Sequence, residues 1–293
     1  MDLGLAGKVA VVTGSSRGIG RGIAARLVEE GAHVVVCARG ADDLEAAVQE
    51  MQGPGEAIGV VADLTSRDGA AAVVAAAVEQ LGGLDIVVNS VGGSGARSFE
   101  AMDEDDLQIV LGKNLFPALN VSRAALPALR ARGGGVIGMV GSVWGREGGG
   151  GPSYNVAKAA EISLAKAMAG DLAKEAIRVF SIAPGSTLFP GGSWERRLRD
   201  DPEGMATFIE RELPWGRLGT VEEVADVMAF LVSPRASWVV GACIAVELLG
   251  RPRIQASPVT EGTGWINCAH GRFPVPAPAS TKSGPLSCST AWC

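Results

Sequence analysis

Tyr154 is the only tyrosine in this chain of 293 residues, and it stands four positions before Lys158 in Tyr154-Asn155-Val156-Ala157-Lys158. On a helix, side chains at i and i+4 share a face. A lysine ammonium beside a phenol favours the phenolate, which suits the phenol to pass a proton to an alkoxide forming on a substrate. Twelve residues before Tyr154, Ser142 follows the apolar run Val136–Val140, and a Gly-rich stretch separates the two. A hydroxyl at that place can hydrogen-bond a carbonyl and hold it for attack. A Tyr–Lys pair alone is more often surface decoration than chemistry, so its context has to decide.

A second cluster points to an anionic ligand. Val9-Ala10-Val11-Val12-Thr13-Gly14-Ser15-Ser16-Arg17-Gly18-Ile19-Gly20 reads as a strand, a Gly-rich turn and a helix start. Gly14, Gly18 and Gly20 let backbone approach a pyrophosphate, and the helix start around Ser16, Arg17 and Ile19 offers N–H donors to it. The spacing is G-x-x-x-G-x-G rather than the generic G-x-G-x-x-G. Gly14-Ser15-Ser16-Arg17-Gly18 also fits the G-x-S-x-G elbow of hydrolases, which needs a histidine downstream. His33 follows too closely and His270 lies far along the chain, so that reading is set aside. The second apolar run ends Val36-Cys37-Ala38-Arg39 without the acid that would hold ribose hydroxyls. Arg39, with Arg17, can instead pair a 2′-phosphate through charge-assisted bonds. Two solvated arginines are the plainer alternative. NADP(H) is therefore expected ahead of NAD(H).

The elements that must position these groups are legible as alternating short apolar runs and helical patterns from residue 8 to 246, the mark of a parallel sheet wrapped by helices. The strand candidates are Val9–Val12, Val34–Cys37, Ile58–Ala62, Ile86–Val88, Val136–Val140, Val179–Ala183 and Ala242–Val246. Continuous rather than alternating apolar runs imply strands covered on both faces. Ile19, Ile23, Leu27 and Val28 make one stripe of a first helix that stops at Gly31. Asp103, followed by Glu104, Asp105 and Asp106, reads as an N-cap, and Thr220 with Glu223 as a capping box. From 186 to 215 Gly, Pro, Trp and Arg break the pattern, predicting a long loop or lid. Trp144, Trp194, Phe208 and Trp215 either line a pocket or pack against that lid. Arg196, Arg197 and Arg199 either meet an anionic carrier or form a solvated helix face. Residues 1–249 read as one catalytic domain and 250–293, rich in Pro, Ser, Gly and Thr, as a poorly ordered tail.

Composition removes other classes. A net charge of −6 argues against a general nucleic-acid binder. Met1–Lys8 lacks a signal-peptide pattern, and the longest apolar stretch, Gly69–Val78, is too short for a bilayer, so a cytoplasmic protein without membrane contact is expected. Cys37 and Cys243 read as buried free thiols, whereas Cys268, Cys288 and Cys293 have no metal-ligand spacing. With His33 and His270 the only histidines, no metal site is expected. Asn120-Val121-Ser122 is a glycosylation sequon, but on a predicted helix.

Taken together, Thr13-Gly14-x-x-x-Gly18-x-Gly20, Asp63, Asn89, Asn114, Ser142, the Tyr154-x-x-x-Lys158 pair and Pro184-Gly185 resemble the short-chain dehydrogenase/reductase family. The sequence is similar to its 3-oxoacyl-ACP reductase-like members over roughly residues 5–246. The resemblance implies a doubly wound (Rossmann-type) α/β domain with a seven-stranded parallel sheet. It implies NADPH-dependent, reversible reduction of a ketone or aldehyde, with Tyr154 the proton donor and a free or acyl-carrier-linked small molecule the substrate. Asp63 and Leu64 would meet the adenine, and Asn89 would shape the cofactor wall. Asn114 would hold a water in a relay to Lys158, and Lys158 would bind the nicotinamide ribose. The backbone around Pro184, Gly185 and Thr187 would hold the carboxamide. A homotetramer is implied as well. Two departures stand out: Asn89-Ser90-Val91-Gly92 replaces the usual Asn-Asn-Ala-Gly, and Val246 leads into Glu247-Leu248-Leu249-Gly250 instead of Asp-Gly-Gly. The abrupt change at 247 is what a shifted reading frame or a fused segment would produce, and it bears on the family's tetramer interface. The competing reading is a nicotinamide-binding scaffold or regulator without turnover. Binding needs no proton donor, so the Asn114–Ser142–Tyr154–Lys158 set argues against it.

Overall fold

The structure is a computed structural model that describes residues 1–247 and the backbone of 265–268 and 271–274. Strands β1 (Val9–Thr13), β2 (His33–Ala38), β3 (Ala57–Val61), β4 (Ile86–Asn89), β5 (Gly135–Val140), β6 (Ile177–Pro184) and β7 (Cys243–Val246) form one parallel sheet ordered β3-β2-β1-β4-β5-β6-β7. All seven expected strands are present, with ends moved by one or two residues. Their continuous apolar character has a direct cause. Ala10, Val12, Val34, Val36, Ile86 and Val88 face one core, beneath α1 (Gly18–Glu29) and α8 (Val221–Val232). Val9, Val11, Val35, Cys37, Val87, Ile137 and Met139 face the other, beneath α3 (Arg67–Leu81), α4 (Glu104–Ala131) and α5 (Pro152–Leu172). Residues of opposite pleat meet different helix layers, so neither face can be polar. The outermost strand β3 departs from this: it is half-buried along its length and Val61 is exposed. An edge strand has a neighbour on one side only.

The sheet order reverses between β1 and β4, and in such sheets ligands bind outside the carboxyl ends of the strands at that point. The helices that frame the crevice start as the sequence predicts. Asp103 Oδ1 accepts from the Asp106 N–H at 2.8 Å, and Thr220 and Glu223 complete a reciprocal capping box on α8. α2 (Ala41–Glu50) covers β2 and β3.

The expected loop at 186–215 is corrected. It contains α6 (Ser193–Asp200) and α7 (Pro202–Glu212), with Asp201 capping α7 through the Gly204 N–H at 2.9 Å and Pro202 in its first turn. Trp194, Met205, Leu213 and Leu218 form a small core of their own with Trp144, Leu198, Phe208 and Ile209 at its edge. The segment is a folded helical pair because those apolar side chains bury one another, although none of them joins the two main cores.

Residues 251–293 form a separate compact unit. In a stretch where no strand period was expected, Trp265–Cys268 and Gly271–Pro274 pair as antiparallel strands. The remainder of the expected tail, including Gly250, His270, Cys288 and Cys293, lies outside the described residues, as do Leu248 and Leu249 at the end of the expected domain.

Candidate active site

The turn between β1 and α1 is built by backbone. Gly14 (φ +62°) and Gly18 (φ +58°) adopt the left-handed conformation, and a Cβ on Gly20 would lie 2.5 Å from the Gly14 carbonyl oxygen. Ser15, buried, donates to Val12 O at 2.6 Å and accepts from the Cys37 N–H at 3.0 Å, fastening the turn to β2. Thr13 Oγ1 accepts from the Ser90 N–H at 2.8 Å, fastening it to the end of β4. α1 begins at Gly18 with no side-chain cap and no acid in its first turn, which leaves its opening N–H groups for an anion. Ser16 is half-buried, Arg17 is exposed and Ile19 packs against the core. The hydrolase reading fails on geometry as well. His33 pairs with Val9 at the opposite end of β1, roughly 16 Å from the turn.

At the ends of β2 and β3, Arg39 and Asp63 are both exposed and close enough to interact. Hydrogen bonds from the Thr65 N–H and hydroxyl, with a smaller contribution from Arg39, hold the Asp63 carboxyl below the usual carboxylate range. Leu64 is buried behind it. Asn120, the sequon residue, donates its amide to the carbonyls of Leu64 and Thr65, so it braces this loop. Asn89 is buried at the end of β4. Its amide donates to Ser122 at 3.0 Å, and its Oδ1 has no partner among the described residues. Ser181 Oγ on β6 is likewise buried without one.

On the other side of the crevice, Ser142 follows β5 and caps a short 3-10 turn, accepting from the Trp144 N–H at 3.2 Å. Asn155 donates to Glu147 O at 3.0 Å, pinning the intervening Gly-rich loop to α5. Tyr154 is half-buried on the first turns of α5, and among the described residues its hydroxyl has no hydrogen-bond partner. The buried Lys158 ammonium lies 5.8 Å from the Tyr154 ring centre and donates to Val140 O at 2.9 Å. Asn114, fully buried in α4, donates to Gly93 O and Val110 O and accepts from the Gly93 N–H. A Cβ on Gly92 would sit 2.8 Å from Asn114 Oδ1 and 3.2 Å from Lys158 Nζ, so the bare glycine keeps these two side chains adjacent. Pro184 closes β6, Gly185 donates its N–H to Val246 O, and buried Thr187 donates to Gly185 O at 3.3 Å. The Leu188 N–H donates to Gly219 O at 2.8 Å and the Gly219 N–H to Ser186 O at 2.9 Å, anchoring the start of the lid.

The structure thus gathers the Gly14–Gly20 turn, Asn89, Asn114, Ser142, Tyr154, Lys158 and Pro184–Thr187 at the carboxyl ends of the four neighbouring strands β1, β4, β5 and β6 and on their following helices. Of the alternatives for the aromatics, the contacts of Trp144, Trp194 and Phe208 are packing with the lid. Trp144 stands edge-on to Tyr154 (6.5 Å) and 6.4 Å from Trp194, which stacks on Phe208, whereas Trp215 lies apart and exposed under Arg217. Arg197 stacks on Trp194, Arg196 donates to Gly191 O and Arg199 pairs with Asp200. Sequence reasoning missed two residues. Phe189 lies over Gly18, within 2.9 Å of where a Cβ would stand. Glu161 is buried against Lys158, and the signal for it was available: an acid in the stripe Ala157, Lys158, Ala165, Ala169.

A switch-point crevice with an open helix N-terminus on one flank and a Ser–Tyr–Lys set on the other is the architecture of a dinucleotide-dependent oxidoreductase. The family profile described as enoyl-(acyl carrier protein) reductase matches residues 14–248. The chain is 34% identical to the 3-oxoacyl-(acyl-carrier-protein) reductase FabG of Vibrio cholerae, over 84% of this chain and 98% of that one. It is 36% identical to dehydrogenase/reductase SDR family member 4 of Mus musculus, over 83% and 86%. Among solved structures, L-sorbose reductase from Gluconobacter frateurii, complexed with NADPH and L-sorbose, aligns with a TM-score of 0.78 at 32% identity over 87% of this chain and 100% of that one. A 7α-hydroxysteroid dehydrogenase complexed with NADH and 7-oxo glycochenodeoxycholic acid aligns with a TM-score of 0.78 at 34% identity, over 85% and 96%. The chain belongs to the short-chain dehydrogenase/reductase family. It is an oxidoreductase of the kind that interconverts carbonyl and alcohol groups with a nicotinamide cofactor. A second profile, described as nickel insertion protein, matches residues 237–282, a stretch largely outside the described residues. No described helix is long and apolar enough to cross a membrane.

Proposed function

We propose that this chain reduces a ketone or aldehyde with NADPH, reversibly, and that Tyr154 protonates the product oxygen. The observation that carries the proposal is the Tyr154 hydroxyl, without a partner among the described residues, on the same helix as a buried Lys158 ammonium and beside the β5 end that carries Ser142. The residues present fit the cofactor. The open turn at Gly14–Gly20 would take its pyrophosphate, and Asp63 and Leu64 would take its adenine. Asn89 Oδ1, without a partner among the described residues, is a buried acceptor at the crevice end of β4. Pro184, Gly185 and Thr187 would bound the nicotinamide end. When bound, that group supplies the hydride.

The protein's own residues do the rest. Ser142 already accepts the Trp144 N–H, so its hydroxyl proton is free to donate to the substrate oxygen. Tyr154 gives that oxygen its proton as charge develops. Lys158 favours the phenolate left behind, and Asn114, adjacent across Gly92, links it to the outside through a water. Arg39 and Arg17, exposed where the adenosine end must lie, favour NADPH over NADH. The arginines of α6 are engaged locally, so a free small molecule is favoured over one linked to a carrier protein. Exposed Ile109 and Phe116 on α4 and Val156 on α5 offer a face for a second copy.

Replacing Tyr154 with Phe tests the reading. Ketone-dependent NADPH consumption should fall about 1,000-fold, while NADPH affinity stays within about two-fold. Turnover surviving in Tyr154→Phe would rule out the mechanism. A wild-type chain that binds NADPH but turns over nothing in a broad carbonyl panel would leave the scaffold reading instead.

A further inference from the structure

We propose that Glu161 is a positioning residue for Lys158: its carboxylate keeps the ammonium charged and seated at the end of β5. The inference rests on the reading that Tyr154 and Lys158 do the chemistry, and it concerns a residue that the Ser–Tyr–Lys pattern does not include.

Glu161 lies three residues after Lys158 on α5, and its Oε2 accepts from Lys158 Nζ at 2.7 Å. Both side chains are almost fully buried, at 4% and 5% exposure. The other buried positions on this stretch of α5 are Ala157, Ala165, Ala169 and Leu172, with Ser153 at its start. An acid in such a stripe bears a desolvation cost, and a buried ion pair does no better for stability than well-packed apolar side chains of the same volume. Packing therefore does not account for a glutamate at 161. What it does account for is the state of Lys158. The ammonium has three donors. One goes to Val140 O and one to Glu161, which fixes the direction of the third.

Electrostatics agrees with the geometry. Burial alone would push Lys158 down, against its charged form. The Glu161 carboxylate, and after it Tyr154, outweigh burial and hold the ammonium above the ordinary lysine range. For Glu161 burial prevails, and the carboxyl sits above its ordinary range despite Lys158. No other element packed against Lys158 brings a charge to bear on it: β5 supplies the Val140 carbonyl, α4 the uncharged Asn114, and the loop after β4 Gly92. Among the described residues, Glu161 and Tyr154 are the titratable groups that act on Lys158. Removing the carboxylate charge should leave Tyr154 alone to oppose burial and bring Lys158 down, and to the extent that it loses its proton it can neither favour a phenolate nor present an ammonium to a ribose.

The test is a titration of the whole chain labelled with 13C at the lysine ε-carbon, with the Lys158 resonance identified by its loss in Lys158→Arg. In the wild type, Lys158 should stay protonated at least as far up in pH as the exposed lysines. In Glu161→Gln it should lose its proton at least about one pH unit lower, and in Glu161→Asp close to the wild-type position. Carbonyl-reductase kinetics run in the alcohol-oxidation direction supply a second readout. Glu161→Gln should show a falling alkaline limb absent from wild type and Glu161→Asp, with kcat reduced about ten-fold and substrate KM little changed. Superimposable lysine titrations of wild type and Glu161→Gln would overturn the proposal. So would a wild-type Lys158 that titrates below the exposed lysines, a result that needs no variant to fold. The NMR titration requires neither cofactor nor substrate. A wild type without turnover would therefore count against the catalytic reading alone, and an unmoved Lys158 against Glu161 alone.

Discussion

On the cofactor flank of the crevice, the turn from β1 into α1 offers backbone: left-handed glycines, open N–H groups and hydrogen bonds that tie the turn to β2 and β4. On the substrate flank, β5 and α5 offer side chains, with Ser142, Tyr154, Lys158 and Glu161 each aimed by a specific contact. The two flanks should fail in different ways. A site made of backbone is blocked by adding a methyl group, whereas a site made of side chains is lost by removing an atom. Arg39 is the exception, a side chain on the backbone flank, and it gives the largest effect after loss of Tyr154. Arg39→Ser should weaken NADPH binding about 10- to 100-fold, the worth of a charge-assisted contact, and leave NADH binding unchanged. Fluorescence titration with both cofactors measures the ratio. Equal losses for the two would mean that Arg39 is only a solvated surface charge.

Gly20 gives the next largest effect and tests the contrast directly. A Cβ there would meet the Gly14 carbonyl at 2.5 Å, a backbone atom that cannot rotate away. Gly20→Ala should destabilise the chain by about 1–3 kcal/mol and raise the NADPH Kd, since the turn must open to fit the methyl. Gly170→Ala is the matched control on α5, where nothing lies within 4 Å, and it should stabilise by up to about 1 kcal/mol. Thermal unfolding of both variants with and without NADPH separates the fold effect from the binding effect.

The same contrast explains what was legible beforehand. All seven strands could be read because each is apolar at consecutive positions, a demand made by two helix layers. Tyr154, Lys158 and the glycine turn could be singled out because the chemistry proposed for them fixes residue type and spacing together, and the structure brings them to one set of strand ends. The lid could not. Its apolar residues, Trp194, Leu198, Met205, Phe208 and Ile209, are divided between helices of 8 and 11 residues, each too short to show a period. The one local signal was Asp201-Pro202, a cap followed by a first-turn proline. Glu161 escaped for another reason. An acid on a helix reads as a solvent-facing residue unless its place in the buried stripe is weighed against its charge.

The smallest effect concerns the far end of the lid, where Glu223 makes an ion pair that is the opposite of Glu161 in every respect. Glu223 is exposed, accepts from Arg217 and from the Thr220 N–H, and completes the box that starts α8. Those hydrogen bonds lower its carboxyl to about 2, from 4.5. A depressed carboxylate contributes stability that is present above the unfolded value and is lost as pH falls through the folded one. The contribution should therefore be intact at pH 6 and drain away between about 4.5 and about 2. Glu223→Gln keeps an acceptor for the Thr220 N–H but loses the charge that pairs with Arg217, and should lower the Tm by about 1–3 °C at pH 6, the worth of an exposed ion pair in a domain of this size. That difference should narrow steadily below pH 4.5, because protonation makes the wild type resemble the variant. Solvent screening holds the effect small despite the strongly lowered carboxyl, since water and salt weaken an exposed pair. A Tm gap that stays constant across that window would show that Glu223 caps α8 through shape rather than charge. The contrast with Glu161 would then lie in burial alone.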